Sequence, residues 1–190
     1  MKMKTYKIEG ITPLLMHNVT SLADPISEVS KAIKAISGKR KKTEDDHLAM
    51  RRLEFEGGLY LNDKDQPIIP GELFKACLVD SAKIEKLGKE VGRSLTVMND
   101  SIIPKVPKGA QKLFDGGYCD VRSVVIQRSR AMRARPQFKK WSASFAVTWN
   151  EQQIDEDVLD RIVKRAGVMS GLCDFRPGTG GRFGMFKVKK

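Results

Sequence analysis

The sequence predicts an α+β fold, and three observations carry that prediction. Residues 142–149 alternate, with Ala143, Phe145, Val147 and Trp149 on one face and Ser142, Ser144 and Thr148 on the other, the period-2 pattern of a half-buried strand. Val158, Leu159, Ile162, Val163 and Ala166 then recur at helical spacing behind an acidic first turn, Asp155-Glu156-Asp157, as a core-facing helix does. A glycine-rich segment follows that helix and leads into a closing strand, Arg182 to Val188.

The remaining elements fall into place around these. Met3 to Gly10 reads as an opening strand that enters a turn at Ile11–Asn18. Residues 19–56 form a helical insertion: Ile26, Val29, Ile33 and Ile36 recur near helical spacing, and Gly38-Lys39-Arg40-Lys41-Lys42 breaks the helix as either a phosphate contact or a solvated loop. Thr43 is placed to cap a helix whose first turn is Glu44, Asp45 and Asp46, and Gly57-Gly58 ends it. Asp45 and Asp46 occupy consecutive helical positions and point apart, so they read as partners of the helix dipole. A short hairpin is predicted over residues 59–69. A helix over 72–86 should bury Leu73, Ala76, Cys77 and Ile84 and end at Gly88. Residues 94–106 read as a strand interrupted at Asn99-Asp100, and 107–119 as a loop. With the insertions removed the order is β-α-β-β-α-β, a ferredoxin-like (RRM-like) core with the helices 72–86 and 155–169 on one face of an antiparallel sheet. One domain over 1–190 is expected, with a loop and basic hairpin over 107–140.

Charge narrows the class of partner. The chain has 35 Lys plus Arg against 23 Asp plus Glu, a net charge of +12, which favours nucleic acid or another anionic surface. No apolar run approaches the ~20 residues of a membrane span, and MKMKTYKIEG has neither the apolar core nor the cleavage site of a signal peptide. Cys77, Cys119 and Cys173 are odd in number and far apart, and there are two histidines. No zinc site, disulfide framework, metal or cofactor is expected, and a reduced, cytoplasmic setting fits.

Two basic tracts are the candidate site. Arg122 to Lys140 contains Arg122, Arg128, Arg130, Arg133, Arg135, Lys139 and Lys140 without one acidic residue. Arg128 with Arg130, and Arg133 with Arg135, alternate at strand period and could each present one face of a ribbon, their planar forks suiting phosphate. Leu172 to Gly184 holds Arg176, Arg182 and the glycines Gly178, Gly180 and Gly181, whose missing side chains would let backbone approach phosphate. Gly180 and Gly181 are thus expected to accept valine with weaker binding and an intact fold. Phe175 and Phe183, with Phe138 and Trp141, are candidate base-stacking platforms. His17, between Met16 and Asn18, is a further candidate. Hairpin and loop are expected to converge on one groove.

On the element order, the glycine loop Gly171-Leu172-Cys173-Asp174-Phe175-Arg176-Pro177 through Gly184, and the long hairpin between the second and third core strands, the chain resembles the repeat-associated mysterious protein (RAMP) superfamily. The resemblance is strongest to a compact backbone subunit of CRISPR surveillance complexes. It implies RNA on the sheet, a glycine loop against the RNA backbone, a thumb-like role for the hairpin arginines, and protein partners in an RNA-guided complex or along the bound strand. The chain is shorter than typical backbone subunits, so a stand-alone relative, encoded by a phage or mobile element, fits equally well.

Three functions follow. The first is non-catalytic binding of single-stranded nucleic acid, RNA over DNA, in or against an RNA-guided complex. The second is a metal-independent endoribonuclease using His17, which some members of the superfamily would suggest by a histidine near the first strand, though no acid–base partner is visible in sequence. The third is a protein-interaction module that mimics a subunit of a host complex.

Overall fold

The computed structural model describes residues 1–126 and 128–189, with Ile126 described by its backbone alone. The chain divides into two compact units: Met1–Leu15, Ile68–Lys105 and Phe138–Lys190 form one, and Met16–Pro67 and Val106–Gln137 the other.

The first unit is a four-stranded antiparallel sheet with helices on one face. Strand Lys2–Gly10 pairs with Ser142–Trp149 along its length, from Lys2 opposite Trp149 to Glu9 opposite Ser142. Leu95–Val97 joins the far side of Ser142–Trp149, and Phe186–Val188 joins the far side of Lys2–Gly10. Along the sheet the order is Leu95–Val97, Ser142–Trp149, Lys2–Gly10, Phe186–Val188. Alternation sends Tyr6, Ile8, Phe145, Val147 and Trp149 into the core, each at most 4% exposed. Helix Gly71–Ala82 covers them, Phe74 stacking on Phe145 with ring centroids 4.4 Å apart. Helix Glu156–Arg165 lies beside it and buries Leu159, Ile162 and Val163. Ser81 Oγ joins the two helices by donating to the Ile162 carbonyl (3.0 Å), and Cys77 Sγ donates to the carbonyl of Ala166, just beyond the second (3.7 Å). Burial pushes the Cys77 thiol up to about 12, which keeps it a protonated core residue.

Several expectations are corrected. Helix Gly71–Ala82 turns Phe74, Cys77, Leu78 and Ser81 inward and leaves Ala76 exposed, as is Ile84 beyond its end. A 3-10 turn, Lys83–Glu85, follows, and Lys86 takes the left-handed conformation (φ 62°), while Gly88 opens another helix, Gly88–Ser94. The second stripe helix ends at Arg165 and continues as a π-turn, Ala166–Ser170, where Gly167 sits so close to Phe186 that a Cβ would lie 2.1 Å from its carbonyl oxygen. The last strand is only Phe186–Val188, because Gly184 N–H bonds the Pro13 carbonyl and Met185 N–H bonds Thr12 Oγ1 instead of entering the ladder. Ile68–Ile69 pairs with Ser101–Ile102, and the local hairpin reduces to a bridge between Leu61 and Pro67.

The second unit joins three helices, Val19–Ala23, Glu28–Ser37 and Glu44–Gly58, to a hairpin. Thr43 caps the third in a full capping box: its hydroxyl accepts from Asp46 N–H (3.2 Å), and the Asp46 carboxylate accepts from Thr43 N–H (3.0 Å), satisfying two donors at the helix start. Gly57 leaves room for Leu22, whose Cδ2 a Cβ would meet at 2.6 Å. A helix also forms at Ala110–Asp115, within the stretch expected to be loop, and Phe114 meets Phe55 edge-on with centroids 5.3 Å apart. Six residues are too few to display a helical period. The hairpin comprises Cys119–Ile126 and Ser129–Phe138.

Candidate nucleic-acid interface

The register of the hairpin decides which way each arginine faces. Arg122 lies opposite Arg133, Asp120 opposite Arg135, and Val124 opposite Ala131, all on one face; Val125–Arg130, Ser123–Met132 and Val121–Ala134 share the other. Arg133 and Arg135 therefore share a face as expected, and Arg130 is on the other; Arg128, expected to alternate with Arg130, is in the turn with φ 68° rather than on a strand. Arg128 and Arg130 are exposed; Arg133 and Arg135 are half-buried. The Arg130 face also exposes Val125 and Met132, at 67% and 55%.

Two arginines directly opposite one another repel, and acidic side chains relieve the pair. Arg122 Nε donates to Asp120. Arg133 Nη1 donates to Glu54 Oε1 (2.7 Å), and the other oxygen of Glu54 accepts from Ala134 N–H (2.8 Å). Glu54, on helix Glu44–Gly58, is 7% exposed, so its carboxylate anchors the hairpin to that helix. Sequence reasoning missed it: its partners lie 79 and 80 positions away, and nothing local marks one glutamate in a polar helix. Around this anchor a cavity of about 270 Å3 is lined by His17, Leu22, Ile33, Glu54, Arg133 and Arg135 among others. Tyr60 Oη donates to the His17 carbonyl (3.1 Å).

The glycine loop of the first unit is built differently. Its backbone closes on itself: Thr179 and Gly181 N–H both bond the Arg176 carbonyl (2.9 Å each), Gly180 N–H bonds that of Pro177 (2.9 Å), and Phe183 N–H bonds that of Phe175 (3.0 Å). A Cβ on Gly181 would lie 1.9 Å from the Phe175 carbonyl oxygen, so the expectation that valine there spares the fold is wrong. Gly180 differs: φ is 79°, and a Cβ would meet nothing within 4 Å. Gly178 makes room for a half-buried pair, since a Cβ would lie 2.6 Å from Arg176 Nη1 and 2.8 Å from Asp80 Oδ2. Arg176 thus turns inward, Nη1 buried and 3.9 Å from Asp80, while Arg182 is exposed above the Phe183 ring, 5.7 Å from its centroid.

The aromatic candidates separate in the same way. Phe175 is 46% exposed, whereas Phe183, Phe138 and Trp141 are buried (3%, 0% and 4%) and offer no open face to a base. Trp141 Nε1 is committed to the Thr12 carbonyl at 2.8 Å. Lys139 and Lys140 are exposed. Sequence reasoning also passed over the open face of the sheet, where Lys7, Asn99, Ser142, Ser144 and Lys189 line a groove of about 570 Å3. Strand parity was the available signal, since Lys7 lies between the buried Tyr6 and Ile8. Among the described residues, no group of three or more His, Cys, Asp or Glu is placed to hold a metal ion, and no helix is long and apolar enough to cross a membrane.

No protein-family model matches the chain, and no curated protein matches it. Among solved structures, it is similar to a chain in the cryo-EM structure of the Type III-B Cmr-beta bound to cognate target RNA, with a TM-score of 0.50 and 16% identity. The match covers 99% of this chain and 58% of that one, so this chain spans well under two thirds of its neighbour's length. At that identity the likeness is one of fold: a mixed α+β architecture shared with a chain of an RNA-bound CRISPR complex.

Proposed function

We propose that this protein is a RAMP-like subunit that binds single-stranded RNA, in or against an RNA-guided complex. The observation that carries the reading is the hairpin end, where Arg128 and Arg130 are exposed beside neighbours that include the exposed Val125 and Met132. Cationic forks at the end of a basic ribbon suit phosphate contact, and a net charge of +12 would draw in a polyanion. The strand order, with the first and third core strands central and helices on one face, supports a ferredoxin-like core. The open sheet face, with Lys7 and Lys189, and Arg182, Phe175 and Gly180 of the glycine loop supply further contacts. RNA rather than DNA is favoured by the fold likeness to a chain of an RNA-bound complex, and a cytoplasmic site of action belongs to the same reading. The test is a salt titration of binding to a labelled single-stranded RNA: log affinity should fall steeply and linearly with log salt, and a flat line would sink the proposal.

A second reading, a metal-independent endoribonuclease, is favoured by one observation, that His17 lines a cavity with Glu54, Arg133 and Arg135. Glu54 already accepts from Arg133 and Ala134, so a base there would use the lone pairs those bonds leave open. Cleavage of labelled RNA that disappears in His17→Ala would support this reading; no cleavage by the wild type removes it.

A further inference from the structure

We infer that the cavity of the second unit is a pocket for one extruded nucleobase, with guanine the preferred guest; this rests on the RNA-binding reading and sharpens it. The volume, about 270 Å3, lies just below the roughly 300–1,000 Å3 of pockets for drug-sized ligands, which suits a single flat ring system rather than a longer segment. The walls select the chemistry. Val19, Leu22 and Ile33 make one side apolar, and Glu54 places a carboxylate on the other, between Arg133 and the Ala134 backbone. Glu54 offsets the charge of Arg133, and the apolar side gives a compact anion nothing to bond. A neutral, planar heterocycle with N–H donors on its edge answers both sides.

Each oxygen of Glu54 accepts one hydrogen bond inside the protein, and a carboxylate oxygen has a second lone pair to offer. Two adjacent acceptors call for two adjacent donors, which guanine presents at N1–H and N2–H. Its O6 and N7 are the acceptors that arginine reads in a bidentate fashion, and Arg133 and Arg135 line the same cavity. Adenine and cytosine each bring one amino group, and uracil brings carbonyls towards a carboxylate. The Arg133 side chain is 41% exposed, so the cavity opens beside the arginines of the hairpin, and a base can leave its stack without its backbone leaving the basic surface.

Fluorescence anisotropy with the full chain tests this in matched salt, using a labelled oligouridine and the same strand carrying one central guanine, adenine or cytosine. The guanine strand should bind about tenfold more tightly than oligouridine, the scale of one good bidentate base contact. Val19→Trp, which fills the cavity from its exposed rim, and Glu54→Gln, which keeps shape and one acceptor, should each bring the ratio of the two affinities close to one. Equal affinities for all four strands in the wild type, a preference for another base, or a guanine preference that survives Val19→Trp would each overturn the assignment and leave backbone binding standing. Failure of oligouridine itself to bind would overturn the RNA-binding reading and this inference with it.

Discussion

The hairpin of the second unit and the glycine loop of the first are both rich in arginine, yet they use it in opposite ways. At its turn the hairpin holds Arg128 and Arg130 out, and only lower down does it commit Arg133 to Glu54. The loop turns Arg176 inward to Asp80, packs Gly181 and Gly184 against its own carbonyls, and fits Gly178 against the Arg176–Asp80 pair. Sequence composition alone makes the two tracts look alike. The difference lies in what each residue has beside it: a glycine required by internal crowding leaves no room for a ligand, and an arginine turned toward an internal carboxylate has less to offer phosphate than one held out in solvent.

That contrast can be broken most forcefully at the loop. Gly184→Ala and Gly181→Ala should each cost at least about 3 kcal/mol or abolish folding, since the new Cβ would fall 2.0 Å from the Leu172 carbonyl oxygen and 1.9 Å from that of Phe175. Gly180→Ala should cost only about 1 kcal/mol, the backbone penalty of its positive φ. Urea denaturation of the three variants checks the order, and similar midpoints for all would refute the distinction. In the hairpin, Glu54→Ala should cost about 2 kcal/mol, because it strands the Ala134 N–H and the Arg133 guanidinium together.

Binding should follow the reverse order. Arg128→Glu with Arg130→Glu is expected to weaken single-stranded RNA binding by an order of magnitude or more. The same pair should reduce the salt slope by about one for each phosphate left without its cation, with thermal stability nearly unchanged. Arg176→Ala should barely alter the salt slope, since its charge already faces Asp80. If the two variants bind equally poorly, the loop contributes as much as the hairpin and the contrast fails.

The smallest effect concerns arginines with an internal partner elsewhere in the first unit. Arg161 (3.0 and 2.9 Å) and Arg165 grip Glu85 and hold its carboxyl down at about 2, from 4.5. A depressed carboxyl pKa adds stability above the unfolded value, and that contribution fades as pH falls from about 4.5 through about 2. The melting-temperature gap between wild type and Glu85→Gln should therefore be present at neutral pH and close towards about pH 2. A gap independent of pH would show that the ion pair is not its origin.

Legibility in sequence followed the range of the interactions. The Thr43 N-cap, the alternation of Ser142–Trp149 and the stripe of Glu156–Arg165 depend on residues a few positions apart, and each formed where its pattern lay. Failures came where a distant neighbour decided the outcome. The inward face of Gly71–Ala82 is set by Phe145, which Phe74 meets, and not by the spacing of Leu73 and Ala76. The roles of Gly178, Gly181 and Gly184 depend on Asp80, Phe175 and Leu172. The candidate cavity draws its walls from residues 17 to 135, a constellation no local window contains. Arg128 and Arg130 do not form the expected strand-period pair for a simpler reason: Arg128 sits in the turn and not in the strand.

The left-handed backbone of Arg128 has one more implication. With φ at 68° on an exposed turn, the position suits glycine, and a side chain there costs roughly 1 kcal/mol. Arg128→Gly should then make a sturdier protein and a poorer ligand binder. A selection that rewards only thermal resistance would be expected to erase this arginine early, whereas one that rewards grip would keep it against the backbone's preference. The turn is a place where robustness and purpose pull one residue in opposite directions.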